Sequence, residues 1–247
     1  MAYQHFAYWY DDLNQNADYD TLMEWIQDKL AAEGITSGIV ADLGCGTGEA
    51  TLRLASADYD MIAVDASEDM LAVLRNKAGE NKQHSILLLN QDLAELDLYG
   101  TICGAISTFD TLNHLAPSRL RKALARVGLF MEEGGLLIFD ANTPYKHTDI
   151  LANREFQLEL DENAVFRWNN RYDPDNEYTE IMLCGTRDGQ TVFEESFAEY
   201  IYDMEFWHEA LRSAGFAVLN VLDGETFGPL MPESQRYLIA AKKQPGS

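Results

Sequence analysis

The sequence predicts an α/β fold: a doubly wound, mostly parallel sheet of seven strands, with an antiparallel β-insert after the fifth strand. Three observations predict it. Short buried strands alternate with helices through about residue 142, the pattern of a parallel sheet covered on both faces. A glycine-rich turn, Gly44-Cys45-Gly46-Thr47-Gly48, stands between the first strand and a helix. The rhythm then changes, and residues 152–202 read as successive strands without a good helix.

Tyr19 to Glu33 reads as a helix with Leu22, Trp25, Ile26 and Leu30 on one face. Glycines 34 and 38 break it, and Ile39 to Leu43 is a short buried strand. Thr47 to Ala57 is helical, and Asp60 to Asp65 is the second strand. Ser67 caps a helix that starts at Glu68 and turns Met70, Leu71 and Leu74 inward. Ser85 to Leu89 and Thr101 to Ser107 are the third and fourth strands. Ser118 to Met131 is a helix, and Gly134-Gly135 opens the fifth strand.

From Glu155 to Tyr202 aromatic and β-branched residues alternate with polar ones, and Asp173-Pro174-Asp175-Asn176 and Arg187-Asp188-Gly189 supply turns. Three or four antiparallel strands are expected. A helix from Met204 to Ala214 ends at Gly215, and strands follow at Phe216–Leu222 and Tyr237–Ala241. One domain, residues 1–247, is expected, with the insert inside it.

Composition narrows the function classes. The 41 acidic residues outnumber the 18 basic ones, for a formal charge of −23. Nucleic-acid binding relies on Lys and Arg neutralising phosphates, so DNA or RNA is disfavoured as a partner. The grouped Arg119, Arg121, Lys122 and Arg126 read as a solvated helix face. The aromatic, then acidic N-terminus lacks the basic start and apolar core of a signal peptide, and no apolar run is long enough for a membrane span. Three scattered cysteines, Cys45, Cys103 and Cys184, form no CxxC pair. A reducing cytoplasm fits, and neither a disulfide framework nor a metal site is expected.

The informative segment is Val40-Ala41-Asp42-Leu43-Gly44-Cys45-Gly46-Thr47-Gly48-Glu49. Its glycines allow a sharp turn and close approach to a ligand, and the helix that follows offers unpaired N–H groups. A dinucleotide-binding GxGxxG fails on spacing, because Glu49 or Thr51 stands where the last glycine belongs. A P-loop fails for want of its lysine. Asp42 and Glu49 would repel a pyrophosphate and suit a ligand carrying an ammonium and a sulfonium.

The segment DLGCGTGE resembles the first motif of class I S-adenosylmethionine (SAM)-dependent methyltransferases, which have a Rossmann-like fold. Further signals arrive in that family's order. The resemblance implies that Asp65, ending the second strand in AVDAS, binds both ribose hydroxyls, with Ala66 and Met70 beside it. It implies that Asp92 and Leu93, after the third strand, meet the adenine. Thr108, Phe109 and Asp110 follow the fourth strand, where the family places methyl donor and acceptor. Asp42, Gly44, Cys45 and Gly46 complete the cofactor loop. A narrower resemblance, carried by Phe6-Ala7-x-x-Tyr10-Asp11, Tyr19-Asp20, DTLNHL and the β-insert, is to small bacterial methyltransferases similar in architecture to amino-sugar N-methyltransferases. It implies that Tyr10 and Tyr19 help close the site. The motif of amino-DNA methylation is absent after strand four.

Methyl transfer from a sulfonium is an in-line displacement, so positioning supplies much of the rate. A protonated acceptor also needs a base. Tyr10, Asp110 and His114 are the residues expected at the reacting end; Asp110 equally suits a turn cap, and His114 a packing role. The aromatic insert reads as a packed sheet face, as a roof over the active site, or as a homodimer interface. The leading expectation is a methyltransferase acting on N or O of a small molecule. A protein or RNA methyltransferase and a non-catalytic SAM-binding module are the alternatives.

Overall fold

The computed structural model describes residues 10–11, 18–80, 86–159 and 163–246. Helix α1 (Tyr19–Ala32) begins where the Asp18 carboxylate accepts the Thr21 backbone N–H at 3.0 Å. Strand β1 (Gly38–Leu43), helix α2 (Glu49–Ser56), strand β2 (Tyr59–Asp65), helix α3 (Glu68–Glu80), strand β3 (Ile86–Asn90) and strand β4 (Ile102–Ser107) follow. Helix α4 (Pro117–Phe130) leads into strand β5 (Met131–Asn142), and a π-helical turn covers Lys146–Leu151. After the insert come helix α5 (Met204–Ser213) and strands β10 (Phe216–Asp223) and β11 (Arg236–Lys243).

The main sheet has seven strands in the order β3-β2-β1-β4-β5-β11-β10. All of its pairings are parallel except the two made by β11. Chain direction across the sheet reverses between β1 and β4. Open sheets of this kind bind ligands at the carboxyl ends of the strands beside such a switch point.

Strand β5 shows why both faces are covered. Leu137 and Phe139 pack with Leu120 and Leu124 of α4 and Trp207 of α5. Leu136 and Ile138 point the other way, towards Ile26 and Leu30 of α1 and Leu54 of α2. Full burial of each such side chain stabilises the fold by about 1.5–3 kcal/mol.

The insert is a second, antiparallel sheet of four strands: β6 (Glu155–Glu159), β7 (Ala164–Asp173), β8 (Tyr178–Arg187) and β9 (Gln190–Tyr200). Phe166, Ile181, Leu183 and Phe193 pack against Met70 of α3. That contact holds the insert over the carboxyl ends of the main strands.

Two expected boundaries shift. Helix α2 begins at Glu49, not Thr47, because Gly44, Gly46 and Gly48 all take positive φ and spend residues 44–48 on the turn. Strand β5 begins at Met131, not at the glycine pair; an irregularity against β4 between Ile102 and Gly104 absorbs the extra residues. Ser85, expected to open β3, lies outside the described residues.

Candidate active site

The loop after β1 is held by its own hydrogen bonds. The Gly44 and Cys45 N–H groups both donate to the Val64 carbonyl, at 2.7 and 3.0 Å. The Gly46 N–H donates to Asp65 Oδ2 at 2.9 Å, and Gly48 N–H to the Cys45 carbonyl. These four loop amides are satisfied within the protein. The glycines are needed for space. A Cβ on Gly44 would lie 2.2 Å from Thr111 Cγ2, at a φ of +73°. On Gly46 the nearest atom to an added Cβ is the Tyr10 ring, at 3.9 Å, so its bare backbone faces open space beneath that tyrosine.

A cavity of about 590 Å³ opens there, within the usual range for small-molecule sites. Of the expected cofactor residues, Tyr10, Gly44, Gly46, Asp65, Ala66, Met70, Asp92, Leu93 and Phe109 line it, and so do the expected reacting-end residues Asp110 and His114. Tyr19, Asp42, Cys45 and Thr108 do not. Tyr19 packs at a tilt against Phe109 with ring centroids 4.8 Å apart, so it backs the lining. Asp42 is fully buried and accepts the Thr51 hydroxyl at 2.5 Å, joining β1 to α2; burial pushes its carboxyl up to about 7. Burial raises the Cys45 thiol too, which leaves it unreactive. The Thr108 carbonyl accepts the Thr111 hydroxyl.

Asp11 is tied down beside the loop. Asp11 accepts the Thr47 hydroxyl at 2.6 Å and pairs with Lys77 at 2.6 Å. Phe6 and Ala7 of the same motif lie outside the described residues. Asp65 takes a second bond, from the Ser67 N–H at 2.8 Å. Two accepted bonds leave a carboxylate lone-pair capacity for two hydroxyls. Asp92 accepts the Ala94 N–H at 2.9 Å and pairs with Arg119.

The turn after β4 is strained and charged. Phe109 and Asp110 both have positive φ, +57° and +52°, a conformation that costs about 1 kcal/mol or more per non-glycine residue. Asp110 makes no capping bond to the turn it precedes, so its turn-cap reading is not what the fold uses. It pairs instead with Arg236 of β11, at 3.0 Å. Arg236 also pairs with Asp140 of β5. Burial would raise Asp110, but Arg236 and then Lys146 hold its carboxyl below the ordinary value. His114 packs edge-on against Phe197 of β9, and burial lowers its imidazole.

Phe166, Trp168 and Phe197 of the aromatic insert line the cavity, where the roof reading of the insert expects them. Leu183 and Glu199 of the insert and Arg236 of the last strand also line it and escaped the sequence reading. A signal for Glu199 exists: it shares strand parity with Phe193 and Phe197, an acid in phase with an aromatic face. The insert is therefore a wall of the cavity as well as a packed sheet. Asp110, His114 and Glu199 bring donor atoms within 4.8 Å of one another, a spacing that a metal ion can use. The guanidinium on Asp110 already puts positive charge where such an ion would bind.

A glycine-rich loop and a cavity at the switch point of a seven-stranded, mostly parallel sheet fit the class of SAM-dependent enzymes. The profile of a methyltransferase domain family matches residues 40–135. A protein of Geobacillus sp. (strain WCH70), whose methyltransferase name is provisional, is 31% identical over 98% of this chain and 100% of its own length. A SAM-dependent methyltransferase from Clostridium acetobutylicum has a crystal structure that superimposes with a TM-score of 0.88, at 25% identity, covering 99% of this chain and 100% of that one. The SAM-bound amino pentose methyltransferase CalS10 of Micromonospora echinaspora shares the fold, with a TM-score of 0.75 at 16% identity over 98% of each chain. This chain belongs to the class I SAM-dependent methyltransferase family. It is a methyltransferase whose cofactor is S-adenosylmethionine. Among the described residues, no helix is long and apolar enough to cross a membrane.

Proposed function

We propose that the enzyme methylates a nitrogen or oxygen of a small molecule. The observation that carries this is the wall: Phe166, Trp168 and Phe197 of the insert line the same cavity as Gly44, Gly46 and Asp65. Both halves of a reaction then fit one cavity of about 590 Å³, the size of a small-molecule site. The similarity to CalS10, an amino pentose methyltransferase, supports the same reading. The charge of −23 argues against RNA.

S-adenosylmethionine, when bound, supplies an electrophilic methyl group on a sulfonium sulfur. In this reading Asp65 holds the ribose hydroxyls, Asp92 and Leu93 face the adenine, and Ala66 and Met70 give the cradle its apolar side. The bare backbone at Gly46 lets the ligand approach, Gly44 lets the loop close against Thr111, and the acidic lining suits the ligand's positive charge. Tyr10 covers the junction and excludes water. Asp110 and His114 orient the acceptor, which lies flat against the aromatic wall. Tyr19, Asp42, Cys45 and Thr108 act from behind the lining, as supports.

The test is incubation with methyl-labelled SAM and separate small-molecule, protein and nucleic-acid fractions of a bacterial extract, followed by mass spectrometry. Label in the small-molecule fraction is expected. Label confined to protein or nucleic acid would keep the reaction and replace the acceptor. SAM binding with no label in any fraction would favour a non-catalytic module.

A further inference from the structure

The cavity floor holds a carboxyl group that neither the cofactor cradle nor the Arg236 ion pairs account for. Glu199 stands on β9, and only 4% of it is exposed. It reaches the cavity from the insert, whereas Asp110 and His114 reach it from the loop after β4. Donor atoms of all three lie within 4.8 Å of one another.

The three groups are not equivalent. Asp110 is neutralised by the Arg236 guanidinium, which makes it a poor base. Asp140, beneath it, shares the same guanidinium and does not line the cavity. Glu199 is held by a neutral amide: Asn142 Nδ2 donates to its Oε2 at 2.9 Å. The Lys146 ammonium is one step removed, donating to Asn142 Oδ1 at 2.9 Å. His147 Nε2 is fully buried with no hydrogen-bond partner and points at Glu199 Oε2 from 4.0 Å. The other nitrogen of that ring meets Thr179 of β8, which pairs directly with Glu199 across the insert. Among the described residues no Lys or Arg forms an ion pair with Glu199.

We propose that Glu199 is a catalytic residue of the methyl transfer, the group that receives the proton of the acceptor's nucleophile. The assignment rests on the small-molecule reading above. As the acceptor nitrogen or oxygen bonds to the methyl carbon, the methyl–sulfur bond breaks and its electron pair stays on sulfur. The proton lost by the acceptor goes to the Glu199 carboxylate, and from there to solvent after product leaves. Asn142 fixes the carboxylate's direction, and Asp110 with His114 fixes the acceptor opposite it. Burial, and then the nearby charge of Asp110, push Glu199 up to about 8, against the pull of Lys146. A carboxylate so placed is a far stronger base than an exposed one. His147, lowered by burial to about 4, stays neutral beside it.

The experiment uses the full chain and the small-molecule fraction that takes label from methyl-labelled SAM. Single-turnover rates are measured from about pH 6 to about pH 10 for wild type, Glu199→Gln and Glu199→Asp, with S-adenosylhomocysteine affinity as the check on folding. The wild-type rate should rise with pH and level off above about 8. Glu199→Gln should be slower by about 10²-fold or more and lose that dependence, with unaltered S-adenosylhomocysteine affinity. Glu199→Asp should be slowed and keep a pH dependence. A glutamine variant with the wild-type profile and nearly the wild-type rate would overturn the assignment. So would loss of activity on chelation that Mg²⁺ or Mn²⁺ restores, which would make the trio a metal site. An infrared titration needs no acceptor: beside the Asp42 band, which disappears near pH 7 in both proteins, a protonated-carboxyl band that disappears near pH 8 should be present in wild type and missing in Glu199→Gln. Its absence from wild type also overturns the proposal. If wild type labels no small molecule, the acceptor reading fails by itself, and the infrared result separately decides whether Glu199 is the carboxyl that holds its proton near neutral pH.

Discussion

Asp65 Oδ2 accepts the backbone N–H of Gly46 at 2.9 Å, so the acid that ends β2 shapes the loop that follows β1. One side chain thereby orders the loop and lines the cavity. Asp65→Ala should weaken SAM binding by about 2–4 kcal/mol, through loss of charge-assisted bonds to the ribose. Asp65→Asn, which keeps an acceptor oxygen, should lose less. Calorimetric titration with S-adenosylhomocysteine checks both; a folded alanine variant with wild-type affinity would mean the ribose lies elsewhere.

Gly44 stands under a double constraint. Gly44→Ala places a methyl 2.2 Å from Thr111 Cγ2 and strains a backbone at φ +73°. The crowding and the conformation should together cost about 2–4 kcal/mol of stability. Adding Thr111→Ala should return part of that loss, because it removes the clashing methyl and leaves the strained φ. Urea unfolding of the single and double variants measures the split; no recovery in the double variant would show that backbone strain dominates.

Asp42 links stability to pH. Its carboxyl is raised by burial from the ordinary 3.8 to about 7 in the folded protein. The protonated form is favoured by folding, so this contribution is complete below about pH 4 and is lost as pH rises through about 7. Asp42→Asn keeps an oxygen for the Thr51 hydroxyl and has no proton to lose. The stability of the variant relative to wild type should therefore improve between about pH 5 and about pH 8. Parallel urea titrations at the two pH values test it; a difference that does not change with pH would contradict the buried titration.

Trp168 should separate acceptor from cofactor. It lines the cavity from β7 and stacks on Phe156 with ring centroids 5.0 Å apart. Trp168→Ala should raise the acceptor KM by about tenfold or more and leave S-adenosylhomocysteine affinity near wild type. Replacing the whole insert with that of a relative should change acceptor preference. Equal losses of both affinities would mean that the wall supports the cofactor instead.

Much of the fold was legible because its signals are local. Period-two and helical spacings recur within a few residues, so strands at 39–43 and 60–65 and the helix from Glu68 follow from patterning alone. The glycine loop was equally plain, since its sharp turn and close approach are properties of neighbouring residues. Asp65, Asp92, Phe109 and Asp110 could be found because each ends or follows a strand at the ligand-binding edge. The fold uses Asp42 and Tyr19 differently from the reading of their motifs: burial turned the one into a strand–helix brace and a tilted ring contact turned the other into a support for Phe109.

The sequence by itself determined the α/β class, the family and the cofactor, because these rest on short segments whose backbone geometry and spacing carry the chemistry. Only the tertiary structure decided what stands at the reacting end. Arg236 from the last strand, Asp140 from β5, Asp110 from a loop and Glu199 from the insert are far apart in the chain and converge within one buried floor. Which carboxylate meets the guanidinium and which is left with an amide depends on side chains arriving from two different sheets. That arrangement sets their charges, and no local pattern encodes it.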